Sequence, residues 1–180
     1  MQEKKRKRSN YRTYRSVRYV VVGCIVLVFL VSAVFFTLRS TPVRDSMLGS
    51  VLPAVLDYFT NTERQKNNLA TLIPNKLLSQ AAQLKAQDMA NKQYFAHVSP
   101  DGTKPWHWLD VVGYSYDYAG ENLALNFTES NDVAHAWMRS PTHRSNILKS
   151  AYTEIGTGVA TGTYEGREAV FIVQMYAHPR

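Results

Sequence analysis

Apolar and polar positions divide the chain into an unbroken apolar run, a stretch of helical periodicity and a stretch of alternation. The run is YVVVGCIVLVFLVSAVFFTL, Tyr19–Leu38, twenty residues without a charge. At about 1.5 Å per helical residue it reaches about 30 Å, the thickness of a bilayer's hydrocarbon core, and predicts a single transmembrane helix. Residues 39–56 follow as a juxtamembrane linker, with breakers in STP, RDS and GS. Leu48, Val51, Leu52, Val55, Leu56 and Phe59 nevertheless recur at helical spacing. That fits either a short amphipathic helix near the membrane or a lead-in packed on the next domain.

Residues 57–180 form that domain, of about 120 residues, near the usual size. Helical spacing runs up to Pro74 and resumes after it, with Asn75 placed to cap the second helix. Leu78, Ala81, Ala82, Ala86, Met89 and Ala90 form its apolar stripe. HVSPDGTKP is a loop, and PWHWLDVVG a short helix between Pro105 and Gly113. SNDVAHAWMRS predicts a helix capped by Ser130. SPTHRSNIL restarts it, with Ser140 as N-cap and Pro141 at the first helical position. The period then changes to two in EIGTGVATG and EAVFIVQMY, with TYEGR turning between them. Helices first and a closing hairpin after them predict a layered α+β domain.

Charge reinforces the first division. Residues 1–18 hold eight Lys or Arg against one Glu, and the remaining chain holds thirteen basic and thirteen acidic residues. The net charge of +7 is thus a property of the tail. It predicts no nucleic-acid-binding face. A basic tail before an apolar span places residues 1–18 in the cytoplasm and the domain outside the cell membrane, as a single-pass protein. The apolar run continues past the small residues of VSA at 31–33, which favours an uncleaved anchor over a signal peptide. Cys24 is the only cysteine, so no disulfide forms within the chain.

Five histidines carry the candidate chemistry. None lies in HExxH, and no G-x-S-x-G elbow or phosphate loop occurs. His97 sits in a loop among aromatics. His143 is the third residue of a helix start, whose positive end favours a neutral imidazole. His135 in VAHAW reads as packing, His107 between tryptophans fits either role, and His178 is uninformative. Glu121 and Glu154 each stand beside glycine in an apolar run, and a buried carboxylate needs donors or a cation. Ser99 and Ser140 read as turn and cap residues, so no nucleophile with an evident base appears.

YFAHVSPDG, AGENLA, AWMRSPTHRSNIL and YTEIGTGVA, in this order, resemble the CAP superfamily, the SCP-like group of cysteine-rich secretory, antigen 5 and pathogenesis-related proteins. The layout is especially similar to bacterial members, and the resemblance covers about residues 57–178. It implies an α-β-α sandwich with a central antiparallel sheet and a cleft lined by His97, Glu121 and His143. A second cleft glutamate of animal members, three residues beyond the helix tryptophan, falls here on Ser140, counting from Trp137. Glu154, in the TEIG strand, is then the candidate for the missing carboxylate. The family's disulfides are absent.

Two imidazoles beside carboxylates suit a divalent metal such as Zn²⁺, with His97 and His143 as ligands, or acid/base work on a bound water. The expected function is binding of an envelope lipid, glycan or peptide in this cleft, with Tyr94, Phe95, Trp106, Trp108 and Tyr118 nearby. The alternatives are a metal-assisted or acid/base hydrolase of peptide or cell-wall material, and a structural surface module.

Overall fold

The computed structural model describes residues 51–180. The expected tail, transmembrane helix and most of the linker lie outside the described residues. Among the described residues, no helix is long and apolar enough to cross a membrane. The elements run α1 (Pro53–Lys66), β1 (Ile73–Pro74), α2 (Lys76–Lys92), α3 (His107–Val111), β2 (Tyr116–Leu125), α4 (Ser130–Arg139), α5 (Pro141–Ile147), β3 (Glu154–Tyr164) and β4 (Arg167–Pro179).

The sheet order is β1-β3-β4-β2. β4 is central and pairs antiparallel with both β2 and β3. Its alternate residues serve two cores. Ala169, Phe171, Val173, Met175 and Ala177 pack under α2 and α3 with Leu78, Ala82, Met89 and Leu109. Val170, Ile172 and Tyr176 pack on the opposite face with Leu56, Val133, Trp137 and Ile147 of α1, α4 and α5. The α-β-α sandwich follows from a strand apolar on both faces.

The sheet differs from the expected antiparallel one. It is mixed, because two-residue β1 joins β3 in parallel. Pro74 breaks the helical pattern, as expected, but the extended segment there is long enough for the backbone amides of Ile73 and Asn75 to donate to carbonyls of Thr153 and Ile155. β2 was hidden in the sequence, since YDYAGENLAL carries glycine, aspartate and asparagine rather than a clean alternation.

Asn75 caps α2 as expected, accepting from the Leu77 and Leu78 amides. The expected boundary at residue 57 falls inside α1, which starts with Pro53. Val51 and Leu56 belong to the core, so this end of the apolar series packs on the domain. Ser130 does not cap α4. Glu129 holds the cap position, and the buried Ser130 hydroxyl accepts from the Leu52 amide at 3.1 Å.

Gly156, Gly158 and Gly162 of β3 make the contact with α2. A Cβ on Gly158 would lie 2.2 Å from the Gln83 amide nitrogen, and one on Gly156 2.2 Å from that of Ser79. The helix backbone therefore rests directly on the strand. Gln83 completes the joint, exchanging side-chain hydrogen bonds with the Val159 backbone at 2.9 and 3.1 Å.

Candidate functional site

The site is built on β2, the edge strand, where three consecutive residues have separate tasks. Glu121 pairs with Met175 and so points to the α2 face of the sheet. Its Oε1 lies 2.6 Å from His97 Nδ1, in the loop after α2. With the carboxylate ionised, Nδ1–H donates, and in the neutral ring Nε2 then carries the lone pair. Glu121 is only 2% exposed at its side chain and His97 54%, so the pair runs from the interior to the surface.

Asn122 points to the other face and holds α5. Its Nδ2 donates to the His143 carbonyl and to the Tyr176 hydroxyl, both at 3.1 Å. Asn146, one turn after His143, donates to Asn122 Oδ1 at 2.9 Å and to the Glu121 carbonyl at 3.1 Å. Gly120 leaves room for this joint, because a Cβ there would lie 2.3 Å from the Tyr152 hydroxyl and 3.1 Å from Asn146 Oδ1. Tyr152 uses that room to donate to the Ala119 carbonyl at 3.0 Å, and Trp137 Nε1 donates to that of Leu123 at 3.0 Å. Alternate carbonyls of the edge strand are thus closed by side chains, which blunts the edge against strand addition.

His143 is half-buried, with its ring centroid 6.3 Å from that of Trp137. Its pKa is lowered, first by burial and then by the charge of the His97 imidazole. The expected neutral tendency is present, with a different leading cause from the helix end. The Glu121 pKa is raised by burial, which outweighs the hydrogen bond from His97 and the attraction of Lys85. Among the described residues, Glu121 Oε2 is buried with no hydrogen-bond partner.

The structure therefore brings His97, Glu121 and His143 around one edge of the sheet. Glu154 does not join them. It lies on β3 with β4 intervening, about 10 Å across the sheet at ordinary strand spacing. Its Oε2 is occupied by Asn75 at 2.9 Å and the Tyr114 hydroxyl at 2.6 Å. Ser140 takes the N-cap position of α5, as expected, but among the described residues its side chain makes no capping hydrogen bond; its hydroxyl lies 3.2 Å from that of Thr142. It offers no charge. Among the described residues, no group of three or more His, Cys, Asp or Glu is arranged to hold a metal. His135 is exposed on α4, against its reading as packing, because Val133, Ala134 and Trp137 take the inward face. His107 is exposed beside Trp108, and His178 lies beside Thr153 at the end of β4.

Residues 58–176 match the model of the cysteine-rich secretory protein family, CAP. The chain belongs to this family. Ninety-nine residues of the CAP domain are 44% identical to YkwD of Bacillus subtilis, covering 55% of this chain and 38% of that protein. A membrane protein of the same organism, YlbC, is 33% identical over 105 residues, 58% of this chain and 30% of its own. The match thus spans about a third of each relative's length. Among solved structures, an extracellular SCP-domain protein from Bacillus anthracis superposes with a TM-score of 0.59 at 25% identity, over 70% of this chain and 40% of that one. An outer surface protein from Borrelia burgdorferi gives 0.60 at 23% identity, over 71% and 92%, a likeness of fold.

Lys85, Asn122, Asn146 and Arg64 of the CAP domain escaped the sequence reading. Asn146 was findable, three residues beyond His143 on the same helix face. Lys85 was findable too, since it falls in helical register with Leu78, Ala82 and Met89. Arg64 is 1% exposed and donates to carbonyls of Ala70, Ile147 and Lys149 at 2.8 to 2.9 Å. It thereby fastens the C-terminal end of the His143 helix to α1.

Proposed function

We propose that this CAP domain is a ligand-binding module displayed outside the cell membrane by residues 19–38, with the N-terminus cytoplasmic. The ligand is an envelope lipid, glycan or peptide that enters between His97 and His143. The supporting observation is the buried Oε2 of Glu121, which has no hydrogen-bond partner among the described residues. An unsatisfied buried polar atom costs about 1–3 kcal/mol, more for a charged group. A donor on a ligand recovers that cost, so the cleft favours ligands that present a hydroxyl, amide or amine.

The test uses full-length protein in nanodiscs with three probes: isolated peptidoglycan fragments, an extended peptide, and vesicles of phosphatidylglycerol. Binding of one probe by wild type, weakened at least tenfold in Glu121→Gln with the melting temperature nearly kept, is the expected result. Equal affinities in both proteins, or no binding of any probe, reject the reading.

A divalent ion suits the same residues in part. His97 Nε2 and the His143 ring would hold it, with Glu121 orienting His97 through Nδ1 in the usual carboxylate–histidine arrangement. Two protein donors are fewer than the three of catalytic zinc sites. A bound ion would supply Lewis acidity to a ligand oxygen. Calorimetry with Zn²⁺ on wild type and His97→Ala/His143→Ala checks this, and equal heats exclude the site.

A hydrolytic reading draws support from two opposed tendencies: burial pushes the Glu121 carboxyl up and the His143 imidazole down. These opposed directions suit an acid and a base acting on water. Release of products from peptidoglycan or peptide, lost in Glu121→Gln, would support it over binding alone.

A further inference from the structure

Lys85 lies midway along α2, fully buried on the face turned to the sheet. Its neighbours on that stripe are Leu78, Ala81, Ala82, Ala86 and Met89. An aliphatic residue would complete such a face without the desolvation cost that burying an ammonium carries. The ammonium must therefore do something packing cannot.

Its contacts point to one element. Nζ donates to the His97 backbone carbonyl and to the Tyr94 hydroxyl, both at 2.9 Å. It also lies 4.8 Å from the centroid of the Tyr94 ring. The Tyr94 hydroxyl donates to Asp88 Oδ2 at 2.6 Å and sits 2.5 Å from Ser99 Oγ, which donates to the same carboxylate at 3.1 Å. Tyr94, His97 and Ser99 belong to the loop after α2, and Lys85 and Asp88 belong to α2 itself. The loop is otherwise open to solvent at Ala96, His97 and Val98. Burial works against the charged form of Lys85, and the attraction of Glu121 from the strand side offsets part of that. Lys85 therefore meets both partners of the His97–Glu121 bond, one by contact and one by charge.

We propose that Lys85 is the positioning residue of the cleft: its ammonium fastens the His97 backbone to α2 and sets the loop so that Nδ1 meets Glu121 Oε1. Lys85 does not touch the ligand and acts through His97. The inference rests on reading His97 and Glu121 as the working groups of the cleft, but its test needs no ligand and can fail separately from that reading.

The readout is the tautomer of His97. A free neutral imidazole prefers the proton on Nε2, whereas the Glu121 carboxylate selects Nδ1–H. Long-range proton–nitrogen NMR correlations of the full-length protein in nanodiscs, near pH ~8.5 where imidazoles are neutral, distinguish the two. His97→Gln assigns the signal. Wild type is expected to show mainly Nδ1–H. Lys85→Met should move His97 to mainly Nε2–H while the other histidines keep their patterns, and Lys85→Arg should restore part of the wild-type signal. An unchanged His97 pattern in a folded Lys85→Met protein overturns the proposal. Should Lys85→Met not fold, Tyr94→Phe and Ser99→Ala loosen the same clamp with the charge retained. Each must then shift the His97 tautomer partway, and no shift in either also overturns the proposal.

Discussion

Gly120, Glu121 and Asn122 show how much chemistry a strand can place in three residues. Alternation sends Glu121 to His97 on one face and Asn122 to the His143 carbonyl on the other. Gly120 shares the Asn122 face and keeps it open for Tyr152. Gly120→Ala would force a Cβ against the Tyr152 hydroxyl, so urea unfolding should show a loss of about 1–3 kcal/mol, as for overpacked cores. The titrating groups give two further expectations of opposite sign. His143 has a folded pKa below its ordinary 6.5. In the window below about 6.5 the unfolded chain binds more protons, so stability falls as pH drops through it. Glu121 is raised above 4.5, so its contribution falls as pH rises from that value. Stability curves against pH for wild type, His143→Gln and Glu121→Gln separate the two. His143→Gln should flatten the decline below about 6.5, and a curve parallel to wild type there would refute the assignment. The residue types at the site were legible in the sequence, because histidine and glutamate in apolar or aromatic surroundings stand out. The relation of Glu154 to them was not, because it depends on which strand lies between.

Helices and strands position these residues through a few close joints. α2 carries Lys85 and leads into the His97 loop, and it sits on β3 over glycines. Gly158→Ala would place a Cβ against the backbone of Ala82 and Gln83, which cannot turn aside as a side-chain tip can. We expect a loss of about 3 kcal/mol or more in thermal or urea unfolding, at the upper end for single substitutions. A loss under about 1 kcal/mol would mean that the helix can lift off the strand cheaply. α5 is secured at both faces of its short length, by Asn122 and Asn146 to β2 and by Arg64 to α1. Helix α2 and the β3–β4 hairpin were legible because their periodicities are sustained, with Glu165 and Gly166 taking the positive φ angles of the tight turn. β1 and β2 were not. A two-residue strand has no period, and β2 trades β-formers for the residues that build the site.

At the scale of the whole molecule, the charge asymmetry and the apolar run support the proposed anchor in the first 38 residues, with the CAP domain outside. Under that proposal, full-length protein should sediment with membranes and resist extraction by high salt or carbonate. Deletion of residues 1–38 should release it, and protease added outside intact cells should reach the domain. Recovery of full-length protein in the soluble fraction would refute the anchor.

The sequence by itself determined the main helices, the closing hairpin and the family, because these are written in local period and in motifs of adjacent residues. It also presented His97, Glu121 and His143, 24 and 22 positions apart along the chain. Only the tertiary structure decided that His97 bonds Glu121 and the His143 helix is held on the same edge strand, that Glu154 is held elsewhere by Asn75 and Tyr114, and that a buried lysine underlies the His97 loop. The physical reason is common to all three. Strand order, helix-to-strand contact and the partner of a buried charge depend on packing between distant segments, and no local pattern records them.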